Sequence, residues 1–208
     1  MKSKIFSSIL KSLFISLLFT SMAFAQKPIS DFPAKKHFIG SSVFMLANFL
    51  PDPPSFYQLS YGYRFTPKET LIIEAITWEY EAPLGIPYGS SFESDDERFP
   101  GYVRDIGIGV TYHRFLYKRL YSSFNITPFY QEYFTPENKK LQDGFQLFLT
   151  LRFGYRLPVF KNQAFLEPSI AFTHWPINTN LPESFQKQEN KWPNYFLFEP
   201  GLNFGFIF

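Results

Sequence analysis

The sequence predicts an all-β chain. It reads as a closed eight-stranded antiparallel up-and-down barrel that crosses a membrane, after a cleaved signal peptide. Three observations carry this. Beyond residue 36 apolar and polar residues alternate with period two, and the apolar face is rich in aromatics; 28 Phe and 13 Tyr help bring aromatics to 21% of the 208 residues. The N-terminus has the layout of an export signal. The predicted connections also sort by length, short at one rim and mostly long at the other.

In chain order, Lys2, Lys4 and Lys11 precede and open a short apolar run, Ser12 to Ala25, which ends in the small-x-small site Ala23-Phe24-Ala25. The run is too short to span a bilayer comfortably, which takes about 20 apolar residues. Residues 1–25 are therefore expected to be a signal peptide cleaved after Ala25. Their removal takes away three lysines and no acid, so the net charge falls from +2 to −1. A basic surface for nucleic acid is not expected. Residues 26–36 form a polar, Pro-containing periplasmic lead-in. The absence of cysteine excludes disulfides, thiolate metal sites and a lipid-anchored Cys.

The barrel itself is predicted over residues 37–208. Eight strands are expected at about His37–Phe49, Ser55–Phe65, Thr70–Tyr80, Tyr102–Phe115, Arg119–Tyr133, Gly144–Leu157, Ala164–Trp175 and Tyr195–Phe208, with no helix among them. In the second strand Tyr57, Leu59, Tyr61, Tyr63 and Phe65 oppose Gln58, Ser60, Gly62 and Arg64. In the fourth Ile106, Ile108, Val110 and Tyr112 oppose Asp105, Gly107, Gly109, Thr111 and His113. Glu74 orients the third, because a mid-strand carboxylate belongs away from hydrocarbon. Large apolar residues on one face and Gly, Ser, Thr, Gln and charges on the other suit a lipid-facing exterior around a narrow polar lumen.

Strand ends agree. "TPKE", "LYK" and "PVFKNQ" make short turns, whereas Glu81–Gly101, Phe134–Asp143 and Pro176–Asn194 are long; "LPDPP" alone is brief on that side. Trp78, Trp175 and Trp192 all fall at the long-loop rim, where an aromatic girdle at the membrane surface is expected. Pro128, Pro168 and Pro200 lie within strands and are expected to cause a bulge or bend.

The signal segment, eight strands, loop parity and terminal alternation "GLNFGFIF" together resemble the small outer-membrane barrels of the OmpA/OmpX/opacity-protein type. The resemblance is architectural. It implies residence in a bacterial outer membrane, contact with lipid and lipopolysaccharide, and assembly through Phe204, Phe206 and Phe208 as the strand that the barrel-assembly machinery recognises.

The faces place Arg64, Glu74, Asp105, His113, Arg152, Arg156, Glu167 and Glu199 in the lumen, with Gln58, Asn125, Gln131, Gln146 and Asn203. Eight strands leave little room for a wide pore. "LEPSIAF" and "FEPGLNF" echo one another, and a hairpin between them sets Glu167 roughly opposite Glu199. Such a pair reads either as an acid/base dyad or as a plug bridged by Arg152 or Arg156. A structural or surface-interaction role through the long loops, whose partner the sequence does not name, is the main reading. Two alternatives stay open. One is a lipid A-modifying enzyme, for which His174 and Ser184 are the rim candidates, although His37-Phe-Ile, His113-Arg-Phe and His174-Trp-Pro supply no His-x-Ser pair. The other is a secreted lipocalin-like barrel with its greasy face inward. No catalytic residue, cofactor or metal is assigned; "FESDDERF" (Glu93, Asp95, Asp96, Glu97) lacks the spacing of a calcium loop.

Overall fold

The computed structural model describes residues 35–50, 53–83 and 98–208. The signal segment, most of the lead-in and the acidic stretch Glu93–Glu97 lie outside the described residues. The described elements are β1 (His37–Ser42), a 3-10 helix (Val43–Phe49), β2 (Tyr57–Arg64), β3 (Glu69–Tyr80), β4 (Tyr102–Tyr117), β5 (Leu120–Phe134), β6 (Lys140–Tyr155), β7 (Leu157–Val159), β8 (Ala164–Thr179), a short helix α1 (Glu183–Glu189) and β9 (Tyr195–Ile207). Antiparallel pairing runs from β1 through β6, then to β8 and β9, and β9 returns to β1. Eight strands thus form one hydrogen-bonded ring. His37 and Phe208 exchange backbone bonds of 3.1 and 2.8 Å, which holds the terminal strand in place.

β7 continues β6. Gly154↔Ser169 and Leu157↔Leu166 keep one register, and the ladder lapses only at Tyr155 and Arg156, opposite Pro168 and Glu167. Pro168 has no N–H to give. Pro128 acts the same way: pairing skips Ile108 and Gly109 between Gly107↔Phe129 and Val110↔Ile126 with no slip in register. The bulge expected at these prolines is therefore a missing rung. Bulges occur elsewhere, at Phe198 (φ 64°), two residues before Pro200, and where Trp175 and Pro176 face Phe148.

Other expectations are corrected. The first strand ends at Ser42, not Phe49, because the Ser42 hydroxyl accepts the Phe44 N–H at 3.2 Å and starts the 3-10 helix. The connection from β1 to β2 thereby lengthens to 43–56. β6 begins at Lys140, so the connection from β5 shrinks to 135–139. Helix α1 was legible in principle: Pro182 precedes it, and Glu183 and Lys187 pair at 3.1 Å across one turn.

The two faces of the ring differ as the alternation requires. Tyr57, Leu59, Tyr61 and Tyr63 point outward on β2. So do Ile106, Ile108 (65% exposed) and Val110 on β4. Inward positions of β4 from Val103 to Phe115 are all buried, Asp105 and His113 among them. Large apolar side chains thus cover much of the outer face, while polar and aromatic residues share the inward one.

Candidate functional site

The interior has three levels. At the short-turn end Phe38, Ile72, Phe165 and Ile207 form an apolar cluster. The Arg156 guanidinium lies over the rings of Phe38, Phe115 and Phe165 at 5.4, 5.0 and 4.0 Å. Its Nε donates to Glu167 Oε1 at 2.6 Å, and His113 Nε2 is 3.5 Å from the same oxygen. Arg156 and Glu167 meet because the shared register of β6, β7 and β8 sets them directly across from each other. Neither terminal nitrogen of Arg156 has a hydrogen-bond partner among the described residues; the three π faces account for a cation held this way. Arg64 is buried at this end as well.

At the long-loop end Tyr80, Phe99, Val103, Tyr133 and Phe185 pack together, with Trp78 and Leu181 against them. Phe185 is fully buried and carries α1 into the mouth of the ring. Below it Gln131 donates to Tyr80 Oη and Asp105 Oδ1, both at 3.0 Å, and accepts from Tyr133 Oη at 2.8 Å. Trp175 donates to Glu189 Oε1 at 2.9 Å and stacks on Phe148. Trp78 and Trp175 thus turn into the ring, at even and odd positions of strands whose inward faces those are. Only Trp192 lies in the loop outside it. The girdle expected of all three is corrected for these two, because parity along the strand decides direction and closeness to a rim does not.

Between the two seals lies a polar chamber. Glu74 accepts from Gln58 Nε2 (3.3 Å) and Thr111 Oγ1 (3.2 Å). Arg152 donates to Ser169 Oγ (2.9 Å) and Glu199 Oε1 (3.1 Å). Gly201 permits this crossing, since a Cβ there would collide with Arg152 Nη1. The expected Glu167–Glu199 pair does not form. Glu167 faces Asn203, and Glu199 faces Ala171. That separates the two by about 13 Å of strand, and each takes its own arginine.

The outer surface carries charge in two places. Near the long loops Arg104 bonds Glu79 at 2.7 Å, and lies 3.7 Å from Glu132, which Lys140 reaches at 2.7 Å. Near the short turns Arg114 is 3.5 Å from Glu69, which also accepts from Tyr112 Oη at 2.7 Å. Outward residues between these pairs are Leu71, Ile73, Ala75 and Thr77 on β3, and Ile106, Ile108, Val110 and Tyr112 on β4. Phe206 and Phe208 are exposed and Phe204 is half-exposed, all on the outer face of β9 and its end.

His174 Nδ1 lies 2.7 Å from Asn194 O and Ser184 is exposed on α1; among the described residues no hydrogen bond joins His174 to Ser184. Among the described residues no cluster has the ligands for a metal ion. The aromatic seals were missed by sequence reasoning, although inward parity of Tyr80, Phe115, Tyr121 and Tyr133 was available to find them. Replacing Phe185 with Ala is expected to free α1 without unfolding the ring. Limited proteolysis checks this: cleavage should accelerate within 180–194 while the strands stay protected. No family model matches the chain, and no curated protein or solved structure matches it.

Proposed function

We propose that the chain is an integral barrel of a bacterial outer membrane, exported with its signal peptide removed after Ala25, with a plugged polar lumen and a structural or surface-interaction role for its long loops. One observation carries this. The cross-strand pairs Glu79–Arg104 and Glu69–Arg114 sit on the same two strands, at opposite ends of an outward face with no charge between them. From Arg104 to Arg114 the strand rises about 34 Å, and at a tilt of about 40° the uncharged band is about 26 Å tall, the height of a bilayer core seen in such barrels. A protein surrounded by water has no use for such a band, since exposed leucine and isoleucine gain nothing there.

Strand edges in hydrocarbon need partners, and β9 returns to β1 over residues 203–207. In this reading Phe204, Phe206 and Phe208 face lipid and present the strand that assembly machinery would recognise, and the rim charges meet lipid headgroups and lipopolysaccharide. Both ends of the lumen are filled by side chains, which argues against open diffusion. The secreted alternative needs the apolar face inside and has no support.

Fractionation of a bacterium expressing the whole chain tests the proposal. The folded protein should partition with outer membranes and migrate faster on a gel before boiling than after. Recovery as a detergent-free soluble protein would overturn it.

A further inference from the structure

The ring is incomplete on one side. β1 pairs with β9 only from Phe38↔Ile207 to Ser42↔Asn203, beyond the His37–Phe208 contact, and with β2 only from His37↔Tyr63 to Gly40↔Ser60. β9 continues along β8 to Tyr195, and β2 along β3 to Tyr57. Among the described residues, 195–202 of β9 and 57–59 of β2 therefore have a strand neighbour on one side only. The 3-10 helix Val43–Phe49, none of whose residues is buried, occupies the place where β1 would continue. Pro200 lies on this edge, where a residue lacking N–H is tolerated.

On β2 and β9 burial is greater where β1 pairs, although inward Glu74 and Ile76 of the doubly paired β3 are half-exposed too. Inward Gly205 and Ile207 of β9 are buried where β1 covers them, Asn203 at the end of that pairing is half-exposed, and inward Phe196, Glu199 and Gly201 above are half-exposed as well. On β2 inward Ser60, Gly62 and Arg64 are buried and Gln58 is not. Inward β4 is buried throughout. The Glu199 side chain is 36% exposed although it faces the lumen. The 3-10 helix touches β9 along this seam, and it leaves Glu199 partly exposed.

We infer that the seam between β2 and β9 admits the headgroup of a membrane aminophospholipid, whose primary ammonium is held by Glu74 and Glu199 while its acyl chains remain in the bilayer. The inference rests on the membrane reading above. Charge complementarity selects the ligand. Gln58, Glu74, Arg152 and Glu199 run from one flank of the seam to the other, and Arg152 lies close enough to act electrostatically on Glu74. Glu199 has a guanidinium partner. Glu74 has only neutral donors and no ion pair among the described residues. Two carboxylates against one arginine leave the chamber short of a cation, and an ammonium supplies both the charge and N–H donors. The phosphate next to it accepts from Arg152 as Glu199 turns to the ammonium. Around the opening Leu46, Phe49, Leu59, Leu197, Phe198 and Leu202 are exposed and apolar, a surface fit for chains and not for heads.

The test is native mass spectrometry of the full chain released from phosphatidylglycerol bilayers doped with phosphatidylethanolamine or with phosphatidylcholine. One phosphatidylethanolamine should be retained per monomer, and choline, which has no N–H, should not be. Glu74→Gln should weaken retention about tenfold, a change of about 1.4 kcal/mol, while Lys187→Gln on α1 should leave it unchanged. Equal retention of all three lipids, or unaltered binding by the Glu74 variant, would overturn the inference. So would a dimer without lipid, which would mean that a second copy covers the seam. A chain that fails to insert or to show the gel shift would instead sink the membrane reading.

Discussion

Glu167→Ala is expected to destabilise the folded protein by about 3–5 kcal/mol, because it strands a buried guanidinium. The Arg156 and Glu167 side chains are only 4% and 7% exposed, and the 2.6 Å bond between them is, among the described residues, the one hydrogen bond that Arg156 makes to a carboxylate. The three phenylalanine rings around Arg156 offer about 1–2 kcal/mol each at best, and they cannot replace the lost counter-charge. His113, next to the same carboxylate, loses its partner too. Replacing both members of the pair, Arg156→Met with Glu167→Leu, should restore most of the loss, since the surroundings are already apolar. Urea titration of the folded protein, followed by tryptophan emission or the gel shift, checks both. A single variant with an unchanged midpoint would remove the pair from the list of what holds this end shut.

Glu199→Ala supplies the contrast. Its bond to Arg152 is longer and both partners are partly exposed, so a loss of about 1 kcal/mol or less is expected. Because the two glutamates lie far apart, their effects should add to within about 0.5 kcal/mol. Strong coupling would revive the side-by-side dyad that the register excludes.

Ile108→Arg is the second large effect, about 2–4 kcal/mol of destabilisation in a bilayer. Ile108 is 65% exposed, near the middle of the uncharged band. In water an arginine there would be harmless or helpful to solubility. In hydrocarbon it lies far from either rim and can reach water only by stretching or thinning the bilayer. Folding into bilayers should therefore suffer, whereas Thr77→Arg, nearer the rim charges, should cost distinctly less. Equal and negligible effects at both positions would remove the ground for a membrane-spanning exterior.

Much of the ring was legible in the sequence, for one physical reason. A strand has a side-chain period of two, so each residue's face follows from counting, and Arg64, Glu74, Asp105, Arg152, Arg156, Glu167 and Glu199 all take the inward positions that counting assigns. The partners of those residues were not legible. Which arginine meets which glutamate depends on register between strands, and register is altered by events that counting within one strand does not reveal. The bulge at Phe198 and the pair Trp175–Pro176 facing Phe148 each displace one strand by a residue against its neighbour.

By itself, then, the sequence determined the all-β class of fold and the two faces of strand stretches without a bulge, because local alternation there needs no knowledge of the neighbour. Tertiary structure alone decided that Glu167 answers Arg156 and Glu199 answers Arg152. It also decided that β2 and β9 run on past the end of β1 and leave a seam. Each of these is a relation between segments far apart in the chain, settled by where hydrogen-bond ladders begin, skip and end.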